Sequence, residues 1–435
     1  MGQDLWKRNL DRELEAMIGE TGTCVPGLGV IAYRAGREVY SRFLGRRRIG
    51  KSPEDNLPME RDSRFRIASV SKMFTVFTIM QLVEEGRLGL DSDVGKLLGF
   101  YLRNPSYPEV PITVRMLASH TSSIRDGRVY SISPDKGLEE FFSPSGEYWE
   151  DGAHFAPGGQ APGEFFEYCN LNYGLLGTII EAVTGERFDL YQKKHILSEL
   201  EIHGDYVPGN FSLEEFEKLG TVYRKRNESG QWDEYGPWHG AADDYKGIRP
   251  REDTLLLQNP YKEAAQYTCS LKDYEPGRNA TIFSPTGGLR VSCEELAHAL
   301  EMLMNEGSYG GRRVLSSASV ERMMGREWIY SSEKRNGCTC DGAILSYGLG
   351  LYQIDGSSSA RFCRDFEVDL VGHTGEAFGL FSMLCLRPGT KDGFLYIMNG
   401  EAVEEDVDPR SKGRFSGNYI WEENLADAVC RNLFA

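Results

Sequence analysis

Ser69 and Lys72 are the residues of this chain whose types and spacing most directly suggest chemistry. They stand three apart in "RIASVSKMFTVFTIMQLVEEGRL", Arg66 to Leu88, which on a helix places them one turn apart on one face. A hydroxyl becomes a nucleophile when a neighbouring base takes its proton. The residues after Lys72 are almost wholly apolar as far as Gly86, which predicts a buried helix. A lysine on it must be paired or have its pKa shifted. Its place in the first turn, near the positive end of the helix dipole, also disfavours the charged form. Neutrality at pH 7 requires a shift of about 3 units, roughly 4 kcal/mol. A serine and lysine at this spacing arise often by chance, as a helix cap and a snorkelling side chain. The pair therefore needs partners.

Two further stretches supply them. In "EFFEYCNLNYGLLGTIIEAVTG", Tyr168 and Asn170 lie two apart just before a predicted helix. In an extended segment both side chains face one way. Tyrosine beside lysine can act as a base, and Lys⁺/Tyr⁻ carries the same protons as the neutral pair, so the sequence leaves open which is populated. In "GHTGEAFG", Gly375 follows His373 and Thr374. Glycine in a strand permits close backbone approach, and the next amide, that of Glu376, can point at a substrate oxygen.

Other patterns fail on context. "GRRRIGKS", Gly45 to Ser52, matches a phosphate-binding loop letter for letter, but Pro53 and Pro58 follow where that motif requires a helix. No G-x-S-x-G or H-E-x-x-H occurs, and the seven histidines do not cluster. Cys338 and Cys340 form a lone C-x-C without a second ligand pair, so no structural metal is expected there. A net charge of −16 opposes nucleic-acid binding. No apolar run is long enough to span a bilayer. The N-terminus reads as an amphipathic helix, with Leu5, Leu10, Leu14, Met17 and Ile18 on one side. It lacks the apolar core of a secretory signal, and Trp6 stands where a myristoylation signal has Ser or Thr. Nine scattered cysteines fit reduced thiols. A cytoplasmic protein is expected, or an exported one if the chain is a trimmed mature form.

The elements that must position these residues follow from periodicity. "GLGVIAYRAG" and "EVYSRFLG" predict a hairpin turning near Ala35-Gly36, followed by a loop from Lys51 to Asp62. "SCEELAHALEMLMNEG" predicts an amphipathic helix ending at Gly307. Four strand candidates follow, "YGLGLYQID", "FEVDLVGHTG", "GLFSMLCLRP" and "GFLYIMNG", and a last helix, "YIWEENLADAVCRNLF". Strands at both ends of the chain predict one sheet built from residues 1–90 and 284–435. Residues 91–283 are then an inserted second lobe of helices and long aromatic loops beside the site.

Ser69-x-x-Lys72, Tyr168-x-Asn170 and His373-Thr374-Gly375, in this order, resemble the penicillin-recognising serine hydrolases, in particular the class C β-lactamase and DD-peptidase-like branch with its related esterases. "PGLGVIAYRAG", "LASHTSS", "NYGLLGTIIEAVTG" and "SPTGGLRVSCEELA" resemble that family's framework, over about residues 25 to 400. The resemblance is weakest from Ile202 to Thr281. It implies an α/β (α+β) fold, an antiparallel sheet flanked by helices with a largely helical second lobe, and acyl transfer through a covalent intermediate. In that scheme, which needs no metal or organic cofactor, Ser69 attacks an amide, ester, lactam or D-amino-acid peptide carbonyl. Lys72 and Tyr168 share the proton transfers, Asn170 binds substrate, and the amides of Ser69 and Glu376 form the oxyanion hole. His373, Thr374, Gly375 and Glu376 complete the substrate-binding set. His373 stands where true β-lactamases usually have lysine, and a neutral imidazole holds a carboxylate more weakly than an ammonium does. Glu376 replaces a small residue and would repel an acidic substrate or hold an amine. Ser123 replaces a glycine, and His120 reads as structural. The expected partner is a small molecule or short peptide, with no nucleic acid or membrane; the oligomeric state is left open. An acyltransferase would use the same residues. A binding or sensor module on this fold would have no physical need for an intact Ser-Lys-Tyr set.

Overall fold

The computed structural model describes residues 5–258 and 266–435; the Met1-Gly2 start lies outside them. Strands β1 (Gly27–Arg34) and β2 (Arg37–Arg48) form the hairpin at Ala35-Gly36, whose φ values of 52° and 73° are left-handed. β3 (Leu57–Pro58) adds an edge strand to β2, a position that tolerates proline. No α-helix follows "GRRRIGKS". Its first half belongs to β2, and Pro53–Asp55 form a single 3-10 turn, so no helix terminus is present to hold a phosphate.

Near the other end of the chain lie β4 (Trp328–Ile329), β5 (Ser346–Tyr347), β6 (Tyr352–Ile354), β7 (Leu370–Ala377), β8 (Leu380–Leu386) and β9 (Gly393–Met398). Among the described residues, nine strands form an antiparallel sheet in the order β4-β5-β6-β7-β8-β9-β1-β2-β3. The β1–β9 pairing, Leu28 opposite Met398 and Ile31 opposite Leu395, joins the two ends of the chain as the strand pattern predicts. Every residue of β8 and β9 is buried, because helices cover both faces. On one face, α1 (Leu5–Glu15) and α5 (Ile420–Leu433) pack over Leu28, Val30, Phe381, Met383 and Tyr396. On the other, α4 (Cys293–Met304) covers Ile31, Leu384 and Leu395. Leu10 and Leu14 of α1 are buried, whereas Leu5 is exposed.

α2 (Ser71–Glu84) is buried nearly all round and packs against α3 (Asn170–Thr184). Residues 91–283 are short helices and long loops around α3, and their apolar side chains continue the core that begins on the sheet. Within that stretch Val222–Lys225 and Trp238–Ala242 form a small sheet with Gly400–Glu401, which ties it to the C-terminal strands. Among the described residues, no helix is long and apolar enough to cross a membrane.

Candidate active site

Ser69 lies in a 3-10 turn, Ala68–Val70, directly before α2. Ala68 adopts φ 43°, left-handed for a residue with a Cβ, a conformation that costs about 1–3 kcal/mol and persists only where its surroundings impose it. They do. The carbonyl of Ile67 accepts the Ser382 hydroxyl at 2.8 Å, and the Ile67 amide donates to Leu289 O at 2.9 Å. β7 presses from the side. A Cβ on Gly375 would lie 2.6 Å from Ile67 O and 3.0 Å from Ser69 N. Glycine is required there because the strand backbone abuts the backbone of the Ser69 turn.

Lys72 is fully buried. Its Nζ stands 2.9 Å from Ser69 Oγ, 3.0 Å from Asn170 Oδ1 and 3.0 Å from Thr286 O. Burial lowers its pKa to about 7, with the charge of Asp126 opposing the shift. The Asp126 carboxylate sits at the head of α3, accepting the Leu171 amide at 2.8 Å and the Asn170 side-chain amide at 3.0 Å. This fixes Asn170 with its oxygen toward Lys72, and the Thr286 hydroxyl donates to the same oxygen at 2.6 Å. Close packing of α3 positions Thr286: a Cβ at Gly177 would fall 2.5 Å from Pro285 Cγ. Asn170 is the first residue of α3 rather than part of an extended segment, and the extended residue is Cys169. Tyr168 and Asn170 nevertheless both line the cleft.

The Tyr168 ring lies 4.9 Å from Lys72 Nζ and stacks on His120 at 4.4 Å. Burial raises the phenol well above its ordinary pKa, and its contact with the Ser69 side chain offsets this only in part. His120 is buried. Its Nδ1 accepts the Cys169 amide at 3.1 Å, so the ring braces Tyr168 from behind. Its loop contains a second left-handed residue, Ser123 at φ 63°, which accounts physically for a glycine being usual there.

β6 pairs only with Leu370–Gly372, so the edge of β7 from His373 onward is free and runs along the cleft. His373 is buried, with Nε2 2.9 Å from the Tyr347 hydroxyl and Nδ1 against Thr374 O. Burial, then the Lys72 charge, lowers its pKa to about 3, leaving a neutral imidazole. Tyr352 donates to the Thr374 hydroxyl at 2.9 Å. Glu376 is pushed up to about 8 by burial and by Glu405, with Arg224 opposing.

The cleft encloses about 680 Å³. Ser69, Tyr168, Asn170, His373, Thr374 and Glu376 line it, while Lys72 and Gly375 sit directly behind. The structure thus brings all the expected residues together. Sequence reasoning missed Asp126, Thr286, Tyr347 and Glu422. Thr286 lies in the framework stretch "SPTGGLRV", which is a usable signal; Asp126 sits in a loop, Tyr347 in a two-residue strand and Glu422, which lines the cleft, at a helix head, none with a local pattern. Among the described residues no group of three or more His, Cys, Asp or Glu side chains is placed to hold a metal ion.

A serine turn set between the head of a buried helix and a free strand edge is the arrangement of the serine β-lactamase and penicillin-binding-protein class. The Beta-lactamase family model matches residues 13–417, nearly the whole chain, and the chain belongs to that family. Among curated relatives it is 29% identical to Protein flp of Staphylococcus aureus (strain MRSA252) over 167 residues, 38% of this chain and 32% of that protein. The match therefore spans about a third of that relative's length. Two solved structures share the fold. One is EstCE1, a hydrolase with promiscuous acyltransferase activity (19% identical, TM-score 0.63, 98% of this chain and 99% of that one). The other is D-amino acid amidase from Ochrobactrum anthropi SV3 (18% identical, TM-score 0.62, 99% of each chain).

Proposed function

We propose that this chain is a serine hydrolase that forms an acyl-enzyme at Ser69 on a small amide, ester, lactam or D-amino-acid peptide. One observation carries the reading. A neutral amine has two N–H donors and one lone pair. Two of the three neighbours of Lys72 Nζ, Asn170 Oδ1 and Thr286 O, can only accept. The lone pair is then left for the third, the Ser69 hydroxyl. Lys72, with its pKa near 7, takes that proton as Oγ attacks the substrate carbonyl. The oxyanion forms toward the amides of Ser69 and Glu376, a donor pair of a kind that contributes about 2.7–4 kcal/mol per donor. The tetrahedral adduct collapses, and the leaving group departs with a proton passed from Lys72 through the Tyr168 hydroxyl. Tyr168 serves as a neutral donor, because burial keeps its phenol protonated. Water adds to the acyl-enzyme by the same steps in reverse. Neutral His373 supports esters and amides over substrates that need a cation for their carboxylate.

The likeness to EstCE1 supports acyl transfer to an alcohol as a second outcome of the same intermediate. A fluorophosphonate probe tests the first reading. It should add one adduct at Ser69, and Ser69→Ala should lose both adduct and ester turnover while still unfolding cooperatively. An unchanged intact mass at high probe concentration sinks the proposal. Product analysis with a competing alcohol separates hydrolysis from transfer.

A further inference from the structure

Beyond the catalytic groups, one wall of the cleft carries carboxyl groups that no cation of the cleft is bound to. Three cations face the cleft, and each is matched. Arg66 is bound to Asp243 at 2.8 Å, and Lys412 to Asp406 at 2.8 Å. Arg224 is bound to Glu401 at 2.7 Å and also to Glu405. Two carboxyls are left over. The carboxyl of Glu376, next to the oxyanion position, makes no hydrogen bond or ion pair with any described residue; it shares the field of Arg224 with Glu401 and Glu405 and lies within that of Glu422. Glu422, at the head of α5, is 3% exposed and lines the cleft. Its Oε2 accepts the Tyr419 amide at 3.3 Å. Its Oε1 has no partner at hydrogen-bonding geometry, although the Thr374 hydroxyl lies beside the carboxyl. A buried acceptor left without a donor is costly, and helix capping requires only one of the two oxygens.

Serving the oxyanion requires only the backbone amide of Glu376, so a carboxylate side chain there is unexplained by the acyl-transfer chemistry. It is ill suited to the acidic peptides and lactams that a lysine at position 373 would attract. An ammonium placed between Glu376 and Glu422 would give each carboxylate the partner it lacks, through charge-assisted hydrogen bonds. We infer that Glu376 and Glu422 form a subsite for a cationic group, and that the acyl donor processed at Ser69 carries a primary ammonium. This rests on the hydrolase reading above, and names its substrate class.

The test uses p-nitrophenyl esters of ω-amino acids of six, seven and eight carbons, too long to cyclise readily to lactams, against their neutral isosteres, with spontaneous release subtracted from both. At least one amino ester should exceed its isostere at least tenfold in kcat/KM. That ratio should fall towards one in Glu376→Gln and drop several-fold in Glu422→Gln, whatever happens to the neutral ester alone. A ratio near one at every length, or an undiminished ratio in both variants, overturns the subsite. Calorimetry of n-alkylammonium against n-alkanol on the Ser69→Ala protein reads the subsite without turnover. Ammonium binding with no Ser69-dependent hydrolysis would keep the subsite and sink the hydrolase reading. Turnover of neutral esters with no ammonium preference would do the opposite.

Discussion

Replacing Lys72 by methionine keeps an unbranched chain of similar volume and removes the titrating group. In the folded protein Lys72 titrates near 7, against 10.5 for an exposed lysine. The unfolded chain therefore binds the proton more tightly than the folded one. The native state carries the full penalty below the folded pKa, loses it progressively as pH rises, and is free of it above the unfolded pKa. The gap corresponds to roughly 5 kcal/mol in all, of which about 4 is present near pH 7 and about 1 near pH 9.5. Methionine also strands Thr286 O, a loss of about 1–3 kcal/mol that does not vary with pH. Comparing the two proteins at two pH values cancels that term and every titration they share. Urea unfolding of both should thus show wild-type stability gaining roughly 3 kcal/mol on Lys72→Met between about pH 7 and pH 9.5. Parallel pH dependences would refute the argument, because they would mean that Lys72 is an ordinary charged lysine in the fold. Wild-type kcat/KM should also rise about tenfold per unit below pH 7 and level off above it, as Lys72 loses its proton.

Three further outcomes follow from the same geometry. Asp126→Asn removes the charge that opposes the lowering of the Lys72 pKa, so the acid limb of the pH–rate profile should move to lower pH; a limb that moves up or stays put contradicts this. Tyr168→Phe should cost about 10²–10⁴ on amides, whose leaving groups need a proton, and far less on p-nitrophenyl esters, whose leaving group does not; equal losses on both would remove Tyr168 from the acid role. Gly375→Ala forces a methyl against Ile67 O and Ser69 N, displacing β7 from the nucleophile turn. Loss of about 10²–10³ in kcat is expected, the scale of one oxyanion donor, and steady-state kinetics on a p-nitrophenyl ester would read it.

The parts of this fold that local pattern dictates were legible in the sequence. The Ala35-Gly36 hairpin, the apolar helix ending at Gly86, the strands from Leu370 to Met398 and the last helix all follow from periodicity and turn residues. Ser69, Lys72, Tyr168 and Asn170 were legible as pairs because their spacing is local. The groups that tune them were not. Asp126 sits in an irregular loop and acquires its role only because α3 begins beside it. Tyr347 belongs to a two-residue strand too short to show alternation. Val222–Lys225 looked like part of a featureless cover because its partner strand, Gly400–Glu401, lies far along the chain. Pairings of that kind leave no mark within a short window.

The contacts around the nucleophile span great lengths of chain. Lys72 reaches Asn170 across 98 residues and Thr286 across 214, and the Ser382 hydroxyl that steadies Ile67 comes from 315 residues away. Closing such loops forfeits chain entropy before any contact compensates for it, and topologies rich in long-range pairings fold slowly. The cleft around Ser69 is therefore expected to assemble late in folding: Ser69 and Lys72 leave the ribosome long before Thr286 and Ser382, the residues that fix their geometry.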